Sequence, residues 1–92
     1  MGFRGKYANK RDANEADLVK EFRAHGCSVV HLDLPLDLLV GYRGCTHLVE
    51  VKQEGKFLNE KQREFADTWR GEMNVVRSIE DVRELIAEWG SV

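Results

Sequence analysis

Apolar residues along the chain follow a helical spacing in three stretches and an extended, β-branched pattern in four others. The first helix is predicted to start near Asp12, a good N-cap, with Glu15 three residues on as a capping box requires. Ala16, Val19 and Phe22 space out its apolar stripe, and Gly26 ends it in the left-handed conformation that glycine tolerates. The β-branched run over residues 28–32 reads as a strand. Pro35 interrupts, so a second strand starts afresh over residues 36–40. Gly41-Tyr42-Arg43-Gly44-Cys45 reads as a hairpin turn, and a third strand over residues 47–52 returns antiparallel. After a loop at Glu54-Gly55-Lys56, Asn59 caps a second helix with Gln62 at its third position. Phe65, Ala66 and Trp69 form the stripe of that helix, and Gly71 ends it. A short fourth strand covers residues 74–77. Ser78 caps a last helix whose Ile79, Val82, Leu85, Ile86 and Trp89 keep the helical period. The predicted order is αβββαβα, an α/β fold with a mixed central sheet flanked by helices.

Length sets the scale of that fold. Ninety-two residues make one domain, 1–92, which buries only about 60–65% of its unfolded surface. The core is therefore thin, and a homodimer would relieve the shortage. Hydrophobic residues at 42% with charged residues at 33% exclude a disordered chain. The net charge of −2 does not announce a nucleic-acid partner. Its distribution says more: residues 1–11 carry Arg4, Lys6, Lys10 and Arg11 with no acid and read as a loose basic arm, whereas residues 79–92 set Glu80, Asp81, Glu84 and Glu88 against Arg83. Cys27 and Cys45 form neither a disulfide framework nor a CxxC pair and read as buried or idle thiols. No apolar leader is visible, and no stretch approaches the roughly 20 apolar residues of a membrane span. A cytoplasmic protein without a membrane partner is expected.

The chemistry concentrates in Leu48-Val49-Glu50-Val51-Lys52. Strand side chains alternate between faces, so Glu50 and Lys52 point one way and Val49 and Val51 the other. The hairpin can bring Asp37 of the preceding strand beside Glu50. Glu15 adds an acid aligned with Leu18, Val19 and Phe22 on the inward side of the first helix. A lone buried carboxylate costs several kcal/mol, an expense that a divalent cation would offset. Asp37 and Glu50 provide hard oxygen donors suited to Mg²⁺, with the main-chain carbonyl of Val51 as a third and Glu15 acting through a water or at a second ion. A cation there would polarise a scissile phosphate and acidify a water. Lys52 would orient that water or stabilise the negative charge developing on the phosphate. Gln62 would hydrogen-bond the water or Lys52.

Blander readings stand beside these. Glu15 and Gln62 also fit plain capping boxes, Asp33 competes with Asp37, and Glu-x-Lys is common on solvated sheet faces. His25, His31 and His47 lack metal-ligand spacing and read as surface or edge residues, and Trp69 and Trp89 read as core. Lys56, Lys61 and Arg63, with Lys10 and Arg11 of the arm, are candidate phosphate contacts.

These residues resemble the PD-(D/E)XK nuclease superfamily and, more narrowly, its stand-alone phage-type VRR-NUC (virus-type replication-repair nuclease) branch. The likeness is carried by Asp12-Ala13-Asn14-Glu15, Asp37-Leu38-Leu39-Val40-Gly41-Tyr42-Arg43-Gly44, Leu48-Val49-Glu50-Val51-Lys52, Asn59-Glu60-Lys61-Gln62 and Thr68-Trp69-Arg70-Gly71. It spans nearly the whole chain. The resemblance implies a restriction-endonuclease-like αβββαβ core. It also implies Glu15 as the helix acid, Asp37 as the metal-binding aspartate, Glu50 and Lys52 as the (D/E)XK pair, and Gln62 as the glutamine of the following helix. The family's Pro-Asp pair is split here, with Leu36 between Pro35 and Asp37, and Leu32-Asp33-Leu34 stands where the family has glycines. By the same resemblance the protein would be a homodimeric, Mg²⁺- or Mn²⁺-dependent endonuclease without an organic cofactor. It would act on branched DNA such as Holliday junctions, in the host cytoplasm if phage-encoded. The alternatives are a nicking or flap nuclease on simpler DNA, a nuclease-fold DNA-binding module or subunit without turnover, and a plain protein-interaction domain.

Overall fold

A computed structural model of the chain describes residues 12–91. The expected basic arm over residues 1–11, with Lys10 and Arg11, lies outside the described residues. The elements run α1 (Glu15–Ala24), β1 (Ser28–His31), β2 (Leu38–Tyr42), β3 (Cys45–Val51), α2 (Glu60–Thr68), β4 (Met73–Val76) and α3 (Ile79–Gly90), which is the order αβββαβα.

α1 buries Glu15, Leu18, Val19 and Phe22, while Ala16 stays exposed. The stripe is therefore turned so that an acid shares the inward face with three apolar residues. The expected capping box of Asp12 with Glu15 does not form. The N-cap is Asn14, and its side chain makes no capping bond. The Asn14 amide is spent elsewhere: Nδ2 donates to the main-chain carbonyls of Lys52 at 3.1 Å and Arg77 at 3.0 Å. That ties the start of α1 to the chain leaving β3 and β4. At the other end Gly26 has φ +88°, Cys27 N donates to Phe22 O and Gly26 N to Arg23 O. This is a Schellman closure, and it needs the left-handed residue.

The sheet has the order β1-β2-β3-β4. β1 and β2 are antiparallel, as are β2 and β3, whereas β3 and β4 are parallel and joined through α2. The β2–β3 turn is tighter than the pattern suggests. Tyr42 pairs with Cys45, leaving only Arg43 (φ +51°) and Gly44 (φ +82°) between the strands. Two positive φ values match the twist that short hairpins favour. Gly41 is thus a strand residue paired with Thr46, and the exposed Cys45 lies in a strand rather than a turn. β2 starts at Leu38 rather than residue 36, because the Asp37 amide is bonded to the Glu50 side chain instead of a ladder carbonyl.

Leu38, Val40, Val49, Val51 and Val76 of the sheet are inaccessible to solvent and cluster with Leu18, Val19 and Phe22 of α1 and Val82 and Ile86 of α3. Tyr42, Ile79, Leu85 and Trp89 pack against the margin of this cluster. Ser78 caps α3 by accepting from Asp81 N at 3.1 Å. α2 covers the opposite face and contains no buried residue. It stops at Thr68, before the expected Gly71. Trp69 does not join the core: it is 44% exposed, and its Nε1 donates to the carbonyl of Glu72 at 3.1 Å. A Cβ on Gly71 would come within 2.9 Å of the indole, so glycine there makes room for the ring rather than ending the helix.

His47 also departs from expectation. It is buried, its Nδ1 lies 2.6 Å from Glu72 Oε1, and its ring stacks on Trp89 at 3.7 Å. Cys27 is buried, and burial pushes its thiol pKa up, which suits an inert side chain. No helix among the described residues is long and apolar enough to cross a membrane.

Candidate active site

The β2–β3 register decides which side chains meet. Leu38 pairs with Val49, so one step outward along the same register sets Asp37 beside Glu50. Opposed residues share a face, and successive residues alternate. Val49 and Val51 face the α1–α3 core, which turns Glu50 and Lys52 toward α2. Asp37 and Glu50 are then linked crosswise. The main-chain N of Asp37 donates to Glu50 Oε1 at 3.2 Å, and the main-chain N of Val51 donates to Asp37 Oδ2 at 2.9 Å. Lys52 Nζ stands 3.7 Å from Glu50 Oε2. Val51 itself keeps its side chain in the core.

Gln62 completes the group from α2. Its Nε2 donates to Glu50 Oε2 at 2.5 Å. It also serves the capping box: Gln62 Oε1 accepts from Asn59 N at 2.9 Å, and Gln62 N donates to Asn59 Oδ1 at 2.8 Å. Gln62 therefore caps α2 as expected, while its amide nitrogen reaches Glu50 rather than Lys52. The amide's two ends are divided between the helix terminus and the carboxylate.

Glu50 is 2% exposed. Burial raises its pKa to about 7, reinforced by the neighbouring Asp37 charge, while the Lys52 ammonium pulls the other way. A carboxyl poised there gives up its proton readily to a cation placed between it and Asp37. The chemistry of the donors fits Mg²⁺ or Mn²⁺, since both are hard oxygen ligands on adjacent strands. The pair opens into a cleft of about 440 Å³. Its polar lining is Asp33, Asp37, Glu50, Asn59, Lys61 and Gln62, and its apolar lining is Leu34, Pro35, Leu36 and Phe65.

Glu15 is placed differently. It is 3% exposed, as its inward position requires, but it lines a separate recess of about 360 Å³ with Asp12, Arg23 and His31. There its Oε2 lies 3.0 Å from His31 Nδ1. Among the described residues, no three His, Cys, Asp or Glu side chains are grouped closely enough to hold a metal ion. The structure thus unites Asp37, Glu50, Lys52 and Gln62 and sets Glu15 in a different recess.

Of the candidate phosphate contacts, Lys61 lines the cleft. Lys56 is exposed, and its carbonyl accepts two bonds from the Arg77 guanidinium at 3.1 and 2.9 Å, which pins the loop before α2 to the end of β4. Arg63 Nη1 is held by the carbonyl of Leu58 at 3.0 Å. Two contributors were not legible as such in the sequence. Asn14 anchors α1 to the strand ends, and His31 partners Glu15. Strand alternation, which puts His31 on the side of Val29, is the signal that points to it.

The chain matches no protein-family model, no curated protein and no solved structure.

Proposed function

We propose that this protein is a metal-dependent DNA endonuclease of the PD-(D/E)XK type, akin to stand-alone VRR-NUC domains, that hydrolyses phosphodiester bonds in branched DNA. The observation that supports this reading above others is the cross-linked Asp37–Glu50 pair with Lys52 and Gln62 on the same carboxylate. Asp37 and Glu50 would hold Mg²⁺, with Mn²⁺ as a substitute. The ion supplies Lewis acidity toward the scissile phosphate and toward the attacking water. The chain's own groups do the rest. Val51 N fixes one oxygen of Asp37, and Gln62 fixes one oxygen of Glu50, so both carboxylates are oriented before any ligand arrives. Lys52 Nζ would stabilise the charge that develops on the phosphate oxygens. Lys61, in the first turn of α2, offers a positive charge to a neighbouring phosphate, helped by the helix N-terminus. Two such sites in a homodimer would cut both strands of a four-way junction.

Cleavage of labelled four-way junction, flap and linear duplex in Mg²⁺ or Mn²⁺ tests the reading. Metal-dependent cutting that Glu50→Ala abolishes and Lys52→Ala lowers by about 10²–10³-fold, with circular dichroism unchanged, is expected. Wild-type protein that binds DNA but cuts none of these substrates sinks it. One observation favours that second outcome, a binding module without turnover: Glu15 is engaged by His31 rather than sharing the cleft of Asp37 and Glu50.

A further inference from the structure

The cleft beside Asp37 and Glu50 carries an apolar lining as well as a polar one. Leu34, Pro35, Leu36 and Phe65 share it with the carboxylates and Lys61. Leu34 is 81% exposed, which leaves most of its side chain available to a ligand. Phe65 stacks on Trp69, with ring centroids 5.2 Å apart, and Trp69 is itself 44% exposed. An apolar strip therefore continues from the cleft, through Phe65, to the surface.

We propose that this strip receives the base of one unpaired nucleotide, so that the carboxylate pair is presented with a single strand at a flap, gap or branch point rather than with continuous duplex. The proposal rests on the nuclease reading and names the substrate feature that the site selects. The cleft volume of about 440 Å³ falls among pockets that enclose one small molecule, roughly 300–1,000 Å³. That suits one nucleotide, whereas a duplex is far larger. A base offers two apolar faces, and stacking on aromatic side chains tolerates any sequence. A base inside a duplex already has both faces covered and offers none to Leu34 or Phe65. Lys61 lines the same cleft and complements the phosphate that accompanies the base. An apolar peptide would satisfy Leu34 and Phe65 but leave Lys61 and the carboxylate pair without complement.

The test uses the full chain and synthetic DNA carrying 2-aminopurine, either in a flap next to the branch or inside continuous duplex, with Ca²⁺ replacing Mg²⁺ to hold the DNA uncut. A saturable fluorescence change in the flap probe, absent in the duplex probe, is expected. Leu34→Ser should weaken binding of the flap probe about tenfold relative to the duplex probe through lost apolar contact, and Leu34→Trp, which adds a stacking ring, should tighten it. The exposure of Leu34 makes both substitutions safe for the fold, which circular dichroism checks. In Mg²⁺, the flap-to-duplex cleavage ratio should fall toward one in Leu34→Ser. Equal affinity for both probes, or a Leu34→Ser effect of the same size on both, overturns the proposal. The two readings fail separately. Equal cutting of flap and duplex removes base docking and keeps the nuclease. Selective docking of the flap probe with no cutting of any DNA removes the nuclease and keeps base docking.

Discussion

On the side of the sheet toward α1 and α3, Leu38, Val40, Val49, Val51 and Val76 are wholly hidden and cluster with Leu18, Phe22 and Val82. On the side toward α2, the covering helix has no buried residue, and Glu50, a carboxylate, is 2% exposed. Both sides are made by the same four strands, with alternate residues assigned to each. In a 92-residue chain with a thin core, this division lets one side hold the fold together. The other is left free to carry a carboxyl with a strained ionisation. Apolar burial stabilises at about 25 cal/mol per Å², and here most of the fully buried side chains belong to the α1–α3 cluster, with Leu36 buried outside it.

Substitutions on the two faces test this contrast. The largest effect is expected for Phe22→Ala, which should cost about 3–5 kcal/mol, enough to leave much of so small a domain unfolded. Phe65→Ala on the α2 side should cost markedly less, about 1 kcal/mol, since its ring is only half buried. Urea denaturation of the two variants compares the faces directly, and equal losses would erase the distinction. Next comes Lys52→Ala, expected to lower the cleavage rate by about 10²–10³-fold while leaving the urea midpoint near that of the wild type.

The pH dependence of stability gives a subtler effect. Folding raises the Glu50 pKa from 4.5 to about 7, so between those values the folded chain holds a proton that the unfolded chain releases. The contribution is fully present below about 4.5 and is lost as pH rises through about 7. Glu50→Gln cannot titrate. It should therefore flatten the stability profile between pH 5 and 8 by roughly 1–2 kcal/mol, measured by urea titration at each pH. On the proposed reading Mg²⁺ would displace the same proton, so the thermal shift that it produces should grow with pH across that interval and vanish in Asp37→Asn. The smallest effect belongs to the cap of α3. Ser78→Ala removes the bond to Asp81 N and should cost about 1 kcal/mol, without altering the Mg²⁺ response.

The element order and the Asp37–Glu50–Lys52 group were legible because both rest on short-range rules. Alternation assigns faces, and a hairpin brings neighbouring strands together. What was not legible depends on longer-range pairing. Nothing local says that the Asn14 amide is drawn to carbonyls 38 and 63 residues away, which displaces the helix start from Asp12. The position of Glu15 among Leu18, Val19 and Phe22 marks it as inward-facing, yet its neighbour in space is His31, across a chain reversal. Trp69 fits a helical stripe, but the helix ends one residue earlier, and a ring just beyond a helix end is no longer held to that helix's face. His47 reads as a strand-edge residue until Trp89 arrives from the far end of the chain to stack on it.

Gln62 serves two structural roles at once. The amide that secures the opening turn of α2 also grips Glu50, so a helix cap and a buried carboxylate draw on one side chain. A cation that reorients Glu50 would transmit its arrival to the Asn59 terminus within a single bond. Slowed amide exchange at Gln62 and Arg63 on adding Mg²⁺ would then report occupancy of the carboxylate pair before any strand is cut.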